Sequence, residues 1–149
     1  MSEERRIFIT NRIPTLRGEI EERRVRIRIQ EENIDTLRSQ RRNIFFGADA
    51  LSRDNLPVIM PSRVSVSEYR GNNRDKNDGR VEEIRDRIKD LAAAHENNIT
   101  RIDASITTLE NSNSTLRGLN NAANSEITSL LSEWFMAHNM SFPHFMEGF

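Results

Sequence analysis

Apolar residues recur every seven positions between Ile13 and Ile44, and this repeat predicts a long helix. One column holds Ile13, Ile20, Ile27 and Ile34, and the column three places later holds Leu16, Leu37 and Ile44. Isoleucine in one column with leucine mainly in the other is typical of a coiled-coil seam. The pattern therefore predicts a helix that packs against other helices.

Polar residues interrupt both columns at Arg23, Gln30 and Arg41. Such insertions weaken a seam, but they can fix the register of the helices and the number of partners. Val25 and Ile29 lie one turn apart and off the columns. On a helix they form a second apolar stripe, which allows contact with two neighbours.

The segment Arg24 to Gln30 also alternates between polar and apolar residues, which is the period of a strand. The heptad repeat runs through it and glutamates flank it, so we interpret it as helix. Pro14 suits a first helical turn and Gly47 suits a left-handed cap. We therefore expect an N-terminal arm over residues 1–12 and a first coiled-coil helix over residues 13–46.

Residues 47–77 contain two prolines and a polar, asparagine-rich run, and they predict an irregular connection. A second coiled-coil helix is expected over residues 78–138, with Asp78 as its N-cap. Glycine and asparagines lower helix propensity over residues 118–124, so we expect a kink or a new helix start there.

The second helix carries its own seam, which shifts by one position between His95 and Ile99, as a stutter does. Its predicted apolar members are Val81, Ile84, Ile88, Leu91, Ile99, Ile102, Ile106, Leu109, Leu116, Ile127 and Leu130. A first helix of residues 13–46 covers only part of this length. We therefore expect another chain to cover the seam from Leu116 to Trp134.

Aromatic residues gather near the C-terminus in a chain that has few elsewhere. They are Trp134, Phe135, Phe142, Phe145 and Phe149. Pro143 prevents residues 139–149 from continuing the helix. Because a few buried aromatic side chains dominate interface energy, these five are candidate partner-binding residues. The alternative is that the tail folds back over the end of the helix.

Charge is balanced overall, with a formal net charge of -1, but it is unevenly distributed. Residues 1–46 carry 11 basic and 8 acidic side chains, whereas residues 81–149 carry 5 and 10. Basic and acidic segments of this kind suit helices that lie side by side. The low hydrophobic fraction, 36%, favours elongated helices over a compact globule.

No residue pattern indicates catalysis, a metal site or a cofactor. The chain has no cysteine, and the spacing of His95, His138 and His144 does not place two ligands on one helix face. The acidic run near Gly79 fails as a calcium loop because arginines and a lysine occupy ligand positions. Glycines are scattered, so no phosphate-binding loop is present. We expect a non-enzymatic protein without cofactors.

The arginines at positions 23, 24, 26 and 28, with those at 38, 41 and 42 further on, could contact phosphates, but glutamates are interleaved with this set and no aromatic residue lies among them. A nucleic-acid role is therefore a minor alternative. Neither a signal peptide nor a membrane span is predicted, so an intracellular setting, cytoplasmic or within a multi-protein particle, is expected.

These patterns together predict an all-α protein, a long antiparallel helical hairpin with an irregular connecting loop and an extended tail. The expected function is structural. The chain would pack with copies of itself or with other subunits into a multi-chain assembly, such as a viral or phage particle, spacer, clamp or scaffold. An adaptor or chaperone that binds one partner reversibly is the main alternative.

Overall fold

Two helices account for residues 1–54 and 72–138, the parts of the chain that the computed structural model describes. Helix α1 spans Glu3–Asp54 and helix α2 spans Asn72–Ala137. The predicted all-α hairpin of two long helices packed against each other is confirmed, and no strand forms in the described residues. Arg24 to Gln30 is helical. Most of the predicted connection, residues 55–71, and the tail, residues 139–149, lie outside the described residues.

Helix α1 begins ten residues before the predicted start at Ile13, so the expected N-terminal arm is wrong. The Ser2 hydroxyl accepts a hydrogen bond from the Arg5 backbone N–H at 3.2 Å, which caps the helix, and Glu3 and Glu4 occupy the first turn. Pro14 consequently lies inside α1, where it removes one backbone hydrogen bond at a cost of about 3 kcal/mol. Burial of Ile9, five residues before the proline, offsets part of that cost.

The C-terminal end of α1 and the N-terminal end of α2 also differ from the predicted ones. Gly47 does not cap α1, because Ala48 continues a heptad column and is half-buried, and the helix runs on to Asp54. Asp78 is not the N-cap of α2, which begins at Asn72. Propensity differences of a few tenths of a kcal/mol per residue do not stop a long helix that is stabilised further along its length.

Helix α2 is continuous through Gly118, so the new helix start expected near residues 118–124 is wrong. Leu116 and Ala123 on either side of the glycine are buried. Packing of this inward face outweighs the poor helix propensity of the glycine and asparagines.

The chain divides into two compact units, each of which contains part of both helices. The first unit comprises residues 1–33 and 108–138, and the second unit comprises residues 34–54 and 72–107. The core of the first unit is a single apolar cluster. Its buried members are Ile9, Leu16, Ile20, Ala123, Ile127 and Leu130, with Ile13, Leu131 and Trp134 packed against them.

Ion pairs across the first unit show that its two helices run in opposite directions. Arg5 pairs with Glu133, Arg12 with Glu126, and Glu31 with Arg117. As the residue number rises on α1, that of its partner on α2 falls. The expectation that another chain covers Leu116 to Trp134 is therefore wrong. Because α1 starts at Glu3, residues of the same chain cover that seam.

In the second unit, only part of the predicted seam turns inward. Ile34 and Ile106 are buried, and Leu37, Ile44, Val81, Ile88, Ile99 and Ile102 are half-buried. Ile84 and Leu91 are exposed, so the described residues of α1 do not cover this part of the predicted seam. The stutter explains this difference. Val81, Ile88, His95 and Ile102 form one unbroken column, but the second column lies on one side of it before the stutter and on the other side after it.

Substitution of the core leucine Leu16 tests this packing directly. Leu16 is 2% exposed, and Leu16→Ala should lower the free energy of unfolding by about 3 kcal/mol through lost burial and an unfilled cavity. Urea unfolding followed by circular dichroism measures the change. The matched control is Leu119→Ala in the same unit, because Leu119 is 47% exposed and its truncation should cost at most about 0.5 kcal/mol. Equal losses for the two variants would contradict the assigned core.

Candidate functional site: polar layers and an arginine cleft

Two polar layers interrupt the apolar core of the first unit, at the positions where the sequence pattern is broken. The first contains Gln30 and Asn113. The Gln30 amide donates a hydrogen bond to the Ser112 hydroxyl at 3.2 Å, which places Gln30 beside the neighbouring Asn113. Asn113 is only 3% exposed. The Oε1 atom of Gln30 and the Oδ1 atom of Asn113 are both buried without a hydrogen-bond partner.

The second polar layer lies one heptad away and contains Arg23 and Asn120. Because the helices are antiparallel, seven residues back along α1 correspond to seven residues forward along α2. The Arg23 Nη2 atom donates to Glu19 at 2.7 Å, whereas its Nη1 atom is buried without an acceptor. Asn120 is 8% exposed and its Oδ1 atom has no donor.

The two polar layers enclose an apolar one, formed by the buried side chains of Ile27 and Leu116. A buried polar atom without a partner costs about 1–3 kcal/mol. These layers therefore reduce stability compared with an all-apolar seam. What they can provide is discrimination, because a shift of one heptad would leave only one polar residue of each helix opposite a polar partner and would place the other against isoleucine or leucine.

Bidentate ion pairs flank the core on one side. Arg12 donates from Nε and Nη2 to the two carboxylate oxygens of Glu126, at 2.8 and 3.2 Å. Arg5 makes the same arrangement with Glu133, at 2.8 and 2.7 Å. The hydrogen bonds from Arg12 lower the pKa of Glu126, and those from Arg5 lower the pKa of Glu133. These pairs orient the two helices relative to each other.

A cleft of about 450 Å³ opens beside the second polar layer. It is lined by Arg24, Ile27, Arg28, Glu31, Arg117, Asn120, Asn121 and Asn124. Arginines on α1 form one wall, while the short asparagine side chains of α2 leave space opposite them. Three guanidinium groups and a single carboxylate give the lining an excess of positive charge.

Trp134 and Phe135 do not form an exposed partner-binding surface. Trp134 is half-buried against the core of the first unit, and its indole stacks on the His138 imidazole at 4.6 Å between ring centroids. Phe135 is 6% exposed. The other three predicted partner-binding residues, Phe142, Phe145 and Phe149, lie outside the described residues.

Within residues 1–54 and 72–138, histidines and carboxylates form no group of three that could hold a metal ion. Neither helix, over its described residues, is long and apolar enough to cross a membrane. The arrangement can instead pack helices and bind anions, because its distinctive groups are apolar side chains, amides and guanidinium groups.

The heptad pattern shows Arg23 and Gln30 as breaks in the seam. The predicted seam begins at Ile13 and omits Ile9, although Ile9 lies one heptad before Leu16 and continues its column. The cleft has no signal in the sequence, because Arg117 and Asn124 lie 93 and 100 residues from Arg24 along the chain. The cleft becomes visible only once the register of the two helices is known.

Comparisons of the chain with protein-family models, with curated proteins and with solved structures gave no match. Function is therefore argued from the chain's own residues.

Replacing the first polar layer with apolar side chains should stabilise the protein. The double variant Gln30→Leu, Asn113→Leu removes two unpaired buried oxygens and should raise the free energy of unfolding by about 1–3 kcal/mol, measured by urea denaturation. Asn121→Leu is the control, because Asn121 is exposed on the same helix and its replacement should change stability by less than about 0.5 kcal/mol. A double variant less stable than the parent chain would show that these oxygens have partners in solution.

The lowered pKa values of Glu126 and Glu133 predict a loss of stability in acid. A carboxyl group whose folded-state pKa is depressed contributes stability above its unfolded pKa, and this contribution disappears as the pH falls through the folded value. Titration of the side-chain carboxyl carbons by NMR should show both pKa values below that of an ordinary glutamate. In Arg12→Gln, the pKa of Glu126 should rise while that of Glu133 stays unchanged. If both stay unchanged, the bond between Arg12 and Glu126 is absent in solution.

Proposed function

We propose that this chain is a non-enzymatic structural protein, which assembles through its helices with further helices of a multi-chain complex. The observation that carries the proposal is the presence of large apolar side chains on helix faces turned away from the seam. These side chains support the proposal because an exposed apolar stripe is suited to burial against a partner.

The first unit contributes Val25 and Ile29, the pair that the sequence predicts as a second apolar stripe. They are 44% and 52% exposed. In the heptad repeat they occupy the positions furthest from the seam, since the columns contain Arg23, Ile27 and Gln30. Each residue is followed or preceded by an arginine, whose alkyl chain can extend the apolar contact.

The second unit contributes Ile84 and Leu91, which are exposed beside the half-buried Ile88. The second column changes sides at the stutter, so the described residues of α1 do not cover Ile84 and Leu91. A further helix packed along this stripe would bury them. In this proposal, the same helices that make the hairpin take part in coiled-coil contacts with other chains, first of all with copies of this one.

Scaffolds, spacers and clamps in large particles have the properties that this proposal requires. They need long helices, a defined register and surfaces on more than one side. Polar layers and bidentate ion pairs provide the register, and the exposed stripes provide the additional surfaces.

Measurement of the mass in solution tests the proposal. We expect the full chain to sediment as an oligomer whose mass rises with concentration. In the double variant Val25→Ser, Ile29→Ser, the dissociation constant of the oligomer should rise at least tenfold, since burial of the two side chains contributes about 1.5–3 kcal/mol each.

The matched control for this measurement is Val25→Ile, Ile29→Val, which keeps the apolar area and should leave the mass unchanged. A full chain that is monomeric at high concentration contradicts self-association. Equal behaviour of the serine variant and the parent chain would mean that assembly uses another surface.

A further inference from the structure

We infer that the arginine cleft of the first unit binds an acidic segment of a partner protein, through carboxylate groups that pair with Arg24 and Arg28. The inference rests on the proposed function, because it takes the occupant to be another protein of the assembly. It adds the chemistry of that partner and the place where it is held.

Two guanidinium groups in the cleft are available for an anion. The guanidinium group of Arg28 makes no ion pair or hydrogen bond with another described residue. Arg24 contacts Glu21 at 3.5 Å, but both side chains are more than 60% exposed, and such surface pairs contribute little. Arg117 pairs with Glu31, the single carboxylate of the lining. An entering anion therefore meets two cations without having to displace a strong pair.

The spacing of these groups suits carboxylates on a peptide. Arg24 and Arg28 lie four residues apart on α1, so they are neighbours on one face of the helix. A helical partner with acidic side chains four residues apart presents the same spacing. Planar guanidinium groups bind carboxylates with two parallel hydrogen bonds. Across the cleft, the exposed amides of Asn121 and Asn124 can donate to or accept from the peptide backbone.

A nucleic-acid strand fits the cleft less well than a peptide. Glu21 and Glu22 precede the arginines on α1, and Glu31 and Glu32 follow them. A phosphodiester chain that extends along α1 in either direction would meet these carboxylates within about one turn, where like charges repel. The lining also has no aromatic ring on which a base could stack. A short acidic peptide can avoid these carboxylates or offer a basic residue to them.

Isothermal titration calorimetry of the full chain with a synthetic probe tests the inference. The probe is an alanine-rich helical peptide of about 20 residues with glutamates four residues apart. We expect saturable binding that weakens when salt is raised to about 0.5 M. The double variant Arg24→Gln, Arg28→Gln should bind about 100-fold more weakly, since each charge-assisted contact contributes about tenfold.

The matched control is the double variant Arg6→Gln, Arg42→Gln, which removes the same charge from exposed arginines of α1 outside the cleft. It should retain the affinity of the parent chain. Equal weakening in both double variants would overturn the inference, because binding would then follow net charge alone. Absence of binding by the peptide would overturn it as well.

An oligothymidylate of the same charge is a second probe. Tighter binding of this strand than of the peptide, lost in Arg24→Gln, Arg28→Gln, would replace the acidic peptide with nucleic acid as the occupant. The proposed function is tested separately by the serine variants of Val25 and Ile29. A chain that assembles but binds no acidic peptide leaves the proposed function standing and refutes the cleft's role.

Discussion

The side chains of Ile9, Leu16 and Ile20 are removed from water because α2 runs beside α1 in the opposite direction. Neither helix could supply this burial alone, since an isolated helix exposes every side chain. The antiparallel arrangement also places the arginines of the first turns of α1 beside the glutamates at the end of α2, so the bidentate pairs of Arg5 and Arg12 form only in this register. Continuity of α1 through Pro14 and of α2 through Gly118 depends on the same packing.

Stability and specificity oppose each other in the first unit. An apolar residue in place of Asn113 or Asn120 would bury more area and remove one oxygen that has no partner. The chain instead has two polar layers around the layer of Ile27 and Leu116, and these layers penalise other registers. The asparagines also shape the surface. The short side chains of Asn120 and its neighbours leave space for the cleft opposite Arg24 and Arg28. Asn120 thus belongs both to a layer that favours one register and to the lining of the arginine cleft.

Heptad periodicity predicted which face of α1 turns inward, because a repeat of seven is read directly from apolar residues. It did not predict the ends of α1, since Pro14 and Gly47 are local signals that tertiary packing can override. The sequence placed Ile84 and Leu91 in the seam because periodicity alone cannot tell on which side of the continuous column a partner helix lies after a stutter. The cleft depends on residues far apart in sequence, so their proximity required the register of both helices.

The ion pair between Arg5 and Glu133 joins residues 128 positions apart, whereas that between Arg41 and Asp103 spans 62. During synthesis, the inward face from Ile9 to Ile27 therefore leaves the ribosome long before its cover on α2 exists. At about 5–20 residues per second, that interval lasts roughly 5–20 seconds. Throughout it, the isoleucines of this face have no cover from α2. The polar interruptions at Arg23 and Gln30 shorten the uninterrupted apolar run of that nascent face, and they make it a poorer target for premature association with other exposed chains.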